Sequence, residues 1–73
     1  MTLSRLRTGK LARVANITGD DDISLRLMEM GLVPGTEVRV VGVAPLGDPI
    51  EIELRGYKLS LRKTEAERVQ LKS

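Results

Sequence analysis

The chain has no cysteine, no histidine, no tryptophan and no phenylalanine, and it has a single tyrosine. Each absence closes off a chemistry. Zinc, copper and haem sites draw mainly on Cys and His. Neither a Ser-His-Asp triad nor a Cys-His pair can be assembled without histidine. One aromatic ring cannot form the stacking platforms that hold single-stranded nucleic acid. The lack of cysteine rules out disulfides and agrees with a reducing compartment. Long apolar runs are missing too. The longest uncharged stretch in the apolar middle, residues 40–47 (VVGVAPLG), is far short of the ~20 residues a membrane helix takes. Arg5, Arg7 and Lys10 are not followed by the apolar segment of a secretory signal. The expectation is a cytoplasmic domain with no metal, no cofactor and no catalytic residue.

What is present fits a small folded unit. At 73 residues the chain is expected to be a single domain, residues 1–73, whose core only just offsets chain entropy. The formal charge of +2 conceals a pattern. Residues 1–19 carry Arg5, Arg7, Lys10 and Arg13 and no acid. Residues 20–54 are net acidic, and residues 55–73 are again basic. In a small barrel the first and last strands are often neighbours, which would merge the basic ends into one face. Such a face suits an acidic partner or a phosphate backbone, but a solvated surface of mixed charge is the favoured reading, since twelve spread bases are ordinary for a soluble domain with 30% charged residues.

Residues 9–17 (GKLARVANI) alternate imperfectly, as a strand with a bulge or strong twist would. Residues 20–31 (DDDISLRLMEMG) form the clearest helix, with Ile23, Leu27 and Met30 on one face. Leu25, Met28 and Leu32 widen its apolar surface, so burial on more than one side is expected. The aspartates at its start suit capping and the helix dipole. They lack the spacing of a calcium loop, so capping is favoured over a metal. Gly31 is placed to end the helix in a left-handed conformation, with Leu32 packing back on Leu27.

Pro34 and Gly35 form a type II turn by composition, leading into a strand over residues 36–43 with a bulge or corner at Gly42. Residues 44–49 (APLGDP) form a loop with Leu46 at its tip, either as a lid on the barrel end or as an exposed anchor. Ile50–Leu54 and residues 57–62 both alternate cleanly, with Arg55 and Gly56 as the turn. That register sets Leu54 against Tyr57, Ile52 against Leu59 and Ile50 against Leu61, all inward, with Glu53 meeting Lys58 outside. Glu51 and Glu53 then face solvent, where nothing raises a carboxyl pKa for catalysis. Residues 63–68 make one helical turn with capping-box spacing from Thr64 to Glu67, and Val69–Leu71 a last strand. The fold class is therefore mainly β, a small, partly open five-stranded barrel with a helix inserted after the first strand.

Two blocks carry a resemblance across nearly the whole chain. One is LMEMGLVPGT, residues 27–36; the other is VAPLGDPI, residues 43–50, followed by the hairpin and the run through LRKTEA. Together they resemble the FeoA family of bacterial ferrous iron uptake. That resemblance implies an SH3-like barrel with a helical insertion. It also implies an accessory role beside a large membrane Fe²⁺ permease of the FeoB type, which carries a cytoplasmic GTP-binding domain. The chain has no G-x-x-x-x-G-K-[ST] loop of its own.

The function expected is thus a protein–protein interaction module, not an enzyme. Apolar positions outside the core are its candidate contacts: Leu32 with Met28 and Met30 at the helix end, and Pro45, Leu46, Gly47 and Asp48 in the loop. Gly31, Pro34, Gly35 and Gly56 are structural turns. The alternatives are a nucleic-acid-binding SH3-like module using the basic ends, or a domain of the kind found in metal-dependent regulators. The few aromatics and the acidic hairpin face weigh against nucleic acid.

Overall fold

A computed structural model describes residues 1–72. A 3₁₀ turn at Leu3–Arg5 opens the chain. It is followed by β1 (Leu11–Ile17), α1 (Asp22–Glu29), β2 (Glu37–Val43), β3 (Ile50–Leu54), β4 (Tyr57–Leu61), α2 (Lys63–Ala66) and β5 (Val69–Leu71). The five strands form one antiparallel sheet in the order β4-β3-β2-β1-β5. Curvature comes from β1, which divides its pairing. Leu11, Ala12 and Arg13 pair with β2, whereas Val14, Asn16 and Ile17 pair with β5 across a slip in register. A second slip lies between Val40 and Gly42 of β2, at the expected corner.

The β3–β4 hairpin has the register read from its alternation, from Leu54 against Tyr57 to Ile50 against Leu61, with Glu53 opposite Lys58. Arg55 and Gly56 both have positive φ, 51° and 84°, as a two-residue type I′ turn requires. The Pro34-Gly35 turn closes with Thr36 N–H donating to the Val33 carbonyl at 3.0 Å, and Gly35 has φ +91°. Its Gly35 N–H donates in turn to Val14 of β1 at 2.8 Å. The core is aliphatic throughout: Leu3, Val14, Leu27, Leu32, Val38, Val40, Ile50, Ile52, Leu54, Leu61, Ala66, Val69 and Leu71.

Helix α1 begins later than expected, because Asp21 is its cap. Asp21 is extended and its carboxylate accepts the Ser24 N–H at 3.2 Å. Asp22 follows in the first turn, where its charge suits the dipole. The helix is buried on one side only. Leu27 and Ser24 face the barrel, while Leu25 is 54% and Met28 38% exposed. The expectation of burial on more than one side fails: the helix packs Ser24 and Leu27 inward and leaves Leu25 and Met28 on an exposed flank.

Three further points depart from the sequence reading. Tyr57, expected inward, is 42% exposed, and its hydroxyl donates to the Met30 carbonyl at the end of α1. A phenol can leave the core for such an unpaired helix-end carbonyl, which an aliphatic chain cannot satisfy. The capping contact of α2 runs from Glu65, which accepts the Arg62 N–H at 2.8 Å, and not between Thr64 and Glu67. The helix starts at Lys63, so Arg62 holds the cap position. Leu3 is fully buried and Leu6 packs on the core, although residues 1–10 show no apolar period.

Replacing Gly31 by alanine is expected to destabilise the fold by about 2 kcal/mol in urea titration. Its φ is +108°, and an added Cβ would lie 3.0 Å from Tyr57 Oη and 3.2 Å from Leu54 Cδ1. A second expectation concerns pH. The Arg68 guanidinium, 2.6 Å from Asp21 Oδ1, together with the Ser24 N–H, holds the Asp21 carboxyl below its ordinary value of 3.8. A depressed folded value contributes stability above 3.8 that disappears as pH falls through it. The difference in urea midpoint between wild type and Asp21→Asn should therefore shrink from neutral pH to about pH 2.5.

Candidate functional site

The loop at residues 44–49 is tied down at both ends. Gly47 N–H donates to the Ala44 carbonyl at 2.7 Å, which makes Pro45 and Leu46 the middle of a tight turn. Ala44 N–H donates to the Pro49 carbonyl at 3.1 Å and closes the loop base. Asp48 accepts the Lys63 N–H at 3.0 Å, so its carboxylate sits on the first turn of α2. With the turn fixed in this way, Leu46 projects outward and is 96% exposed. Of its two readings, lid and exposed anchor, the lid is excluded. Val43, 47% exposed, lies beside a shallow groove lined by Gly42, Ala44, Pro49, Glu51 and Ser60.

At the helix end the candidates separate. Met28 is exposed and Met30 is half-buried against the core. Leu32 was expected outside the core as a contact, but it is wholly buried. The left-handed Gly31 turns the chain inward. Gly31 N–H donates to the Met28 carbonyl at 3.0 Å and Leu32 N–H to the Leu27 carbonyl at 3.2 Å. That is a Schellman motif, and its apolar contact is the buried pair Leu27 and Leu32. Leu32 belongs to the fold and not to an exposed surface.

The two candidate groups do not form one patch. Met30 meets Tyr57 at one end of the hairpin, while the Leu46 loop leaves β3 at the other, where Ile50 pairs with Leu61. Four strand steps separate these ends, about 13 Å. Around the helix end, Leu25 and Tyr57 join Met28 as exposed apolar side chains. Neither was singled out from the sequence. The available signal for Leu25 was its position off the Ile23–Leu27–Met30 stripe.

The basic ends do come together. Leu71 N–H donates to the Met1 carbonyl at 2.9 Å, Thr2 bridges to Gln70, and β1 pairs with β5. Part of their charge is compensated in place, since Arg68 pairs with Asp21 at 2.6 Å and Arg13 with Glu37 at 3.9 Å. Arg26 of α1 pairs with Glu65 at 3.0 Å. Glu51 is exposed and Glu53 half-buried on the outer face of β3. Among the described residues, no group of three or more Asp or Glu is placed to hold a metal ion. The arrangement leaves exposed an apolar loop tip, an apolar helix flank and, on β4 and just past its end, Lys58, Arg62 and Lys63.

Comparison with known proteins agrees with this architecture. The FeoA domain family matches residues 1–73. The Fe(2+) transport protein A/Fe(2+) transporter FeoB fusion protein of Porphyromonas gingivalis is 37% identical over 71 residues, covering 97% of this chain and 8% of that protein. The solution structure of iron(II) transport protein A from Clostridium thermocellum superposes with a TM-score of 0.92 at 41% identity, over 97% of this chain and 44% of that one. The zinc complex of FeoA from Stenotrophomonas maltophilia, an SH3 domain protein, superposes with a TM-score of 0.88 at 37% identity, over 99% and 89% of the two chains. The fold is thus the SH3-like barrel with a helical insertion.

The separation of surface from core makes a direct prediction. Leu32→Ala should lower unfolding free energy by about 2–5 kcal/mol, as deletion of a fully packed leucine does. Leu46→Asp should leave it within about 0.5 kcal/mol. Urea denaturation of the two variants beside wild type measures both.

Proposed function

The chain belongs to the FeoA family, and from that premise we propose that it serves ferrous iron uptake as an accessory. It docks on the cytoplasmic portion of a membrane Fe²⁺ permease of the FeoB type. The observation that carries this is the P. gingivalis relative, in which the matching segment and a FeoB transporter share one polypeptide. Covalent linkage keeps two parts at high effective concentration, an arrangement that suits parts that act on one another.

The chemistry of the surface supports an indirect part in handling iron. Fe²⁺ in proteins is held mainly by His, Cys, Asp and Glu, and the first two are absent. The carboxylates with assigned contacts are occupied in capping or pairing: Asp21 and Asp48 at helix starts, Glu37 and Glu65 with arginines. Among the described residues, no helix is long and apolar enough to cross a membrane. Contact is made by the rigid turn bearing Pro45, Leu46 and Gly47, with Val43 beside it. An exposed leucine held on an ordered turn loses little entropy when it enters a pocket. Met28 and Met30 form a second, more adaptable contact at the helix end.

Co-purification with the permease's cytoplasmic portion tests this. Wild type should be retained, and Leu46→Asp should weaken retention about 30-fold, as loss of a central anchor does. A folded Leu46→Asp variant that binds as wild type does takes Leu46 out of the interface. A wild-type chain that is not retained at all removes the docking role.

A further inference from the structure

The sheet has two outer strands, β5 and β4, and they are treated differently. The outer side of β5 is covered by the start of the chain, through Leu71 N–H to the Met1 carbonyl and the bridge between Thr2 and Gln70. No segment covers β4 in this way among the described residues. A two-residue turn makes Leu54 and Tyr57 a hydrogen-bonded pair, so Tyr57, Leu59 and Leu61 direct their backbone groups to β3. Lys58 and Ser60 therefore present their N–H and C=O groups outward, and both residues are exposed. The edge offers two donors and two acceptors at the spacing of an antiparallel ladder.

We propose that the open edge of β4 takes up an extended partner segment of alternating apolar and acidic residues as a sixth strand. This deepens the docking role proposed above and rests on it. Charge selects the occupant. Lys58, Arg62 and Lys63 lie along or beside this edge, all exposed and, among the described residues, none in an ion pair, whereas Arg13, Arg26 and Arg68 each have a carboxylate partner; Arg55, in the turn, reaches back over the sheet to Thr36. The inner neighbour of β4 shows what such a strand accepts. β3 reads IEIEL, and its Glu53 lies opposite Lys58. An added strand of the same alternation sets its acids opposite Lys58 and Ser60, the latter diagonal to Arg62, and its apolar side chains beside half-buried Leu59 and exposed Tyr57. A second copy of this chain fits less well. Antiparallel self-pairing centred on Leu59 opposes Lys58 to Ser60 and avoids a direct clash, but it gathers twice the uncompensated positive charge along one seam. The edge also leads to the loop. Ser60 lines the groove beside Val43, so a segment lying on β4 runs on toward Leu46.

The test uses the full chain, ¹⁵N-labelled, with two capped peptides, Val-Glu-Val-Glu-Val and Val-Lys-Val-Lys-Val. The acidic peptide should shift the Lys58 and Ser60 amide resonances and slow their hydrogen exchange at least about tenfold at saturation, while the basic peptide does neither. Ser60→Pro removes an N–H that the fold does not use, so β4 should stay paired with β3 while acidic-peptide affinity falls more than about tenfold. Lys58→Glu, which leaves the backbone intact, should move the preference toward the basic peptide. Shifts confined to other residues, or peptide affinity unchanged in both variants, would overturn the proposal. So would concentration-dependent protection of the same amides without peptide, which would assign the edge to a second copy. If Ser60→Pro retains the permease's cytoplasmic portion at full strength and wild type shows no peptide protection, the edge proposal fails and docking stands. If wild type binds the acidic peptide at the edge but not the permease portion, the edge stands and the docking role fails.

Discussion

The left-handed turn at Gly31 is the joint on which the remaining structure depends. It ends α1 with two backbone hydrogen bonds and sends Leu32 under Leu27 into the core. The hairpin closes on the same point, because the Tyr57 hydroxyl takes the Met30 carbonyl and Leu54 lies against the space a side chain at 31 would fill. Three residues later the Pro34-Gly35 turn is fastened to β1, by Gly35 N–H to Val14 and Val14 N–H to the Thr36 carbonyl. Helix, hairpin and two sheet strands thus meet within ten residues, 27–36. That concentration explains why this run is so recognisable in sequence. Its glycines and proline are fixed by backbone geometry, and its leucines by full burial.

Legibility followed periodicity. The β3–β4 hairpin could be registered from sequence alone because Ile, Leu and Glu, Lys alternate without a fault, and a one-residue slip would expose every apolar side chain. The irregular strands were placed with their bulges because glycine and broken alternation mark where a ladder slips. What escaped was tertiary. Leu3 is buried because the chain start lies over β5, a contact that no local pattern announces. Tyr57 reads as inward by alternation, yet its hydroxyl finds a carbonyl at the rim. Leu25 extended the apolar surface of the helix in sequence, yet it lies on the exposed flank of α1. For the site, the sequence left Leu46 open between lid and exposed anchor, because a proline-flanked turn fits both, and the burial of Leu32 competed with its candidacy and prevailed.

A core of aliphatic side chains without a large ring leaves little interior to spare. The surface openings are shallow and lie along strands and turns. The exposed apolar and cationic groups lie on the exterior: a loop tip, a helix flank and a strand edge. Charge placement narrows this further. The basic ends meet as first and last strands, with carboxylates beside two of their cations, Asp21 at Arg68 and Glu37 at Arg13. Lys58, Arg62 and Lys63, which have no carboxylate partner among the described residues, lie along β4 and just past its end.

That geometry bears on how so small a domain can hold a partner. A stable interface takes about 800 Å² from each side, more than a single leucine or a five-residue edge supplies. The Leu46 loop and the helix end sit at opposite ends of the hairpin, about 13 Å apart. A compact partner pocket engages one or the other. An extended segment along β4 spans both, since four or five residues in a strand cover that distance. Backbone pairing gives such a segment its direction, the row of cations gives it its sign, and the leucine at the end of the row gives it an anchor. Contacts divided in this way are individually weak and jointly adequate.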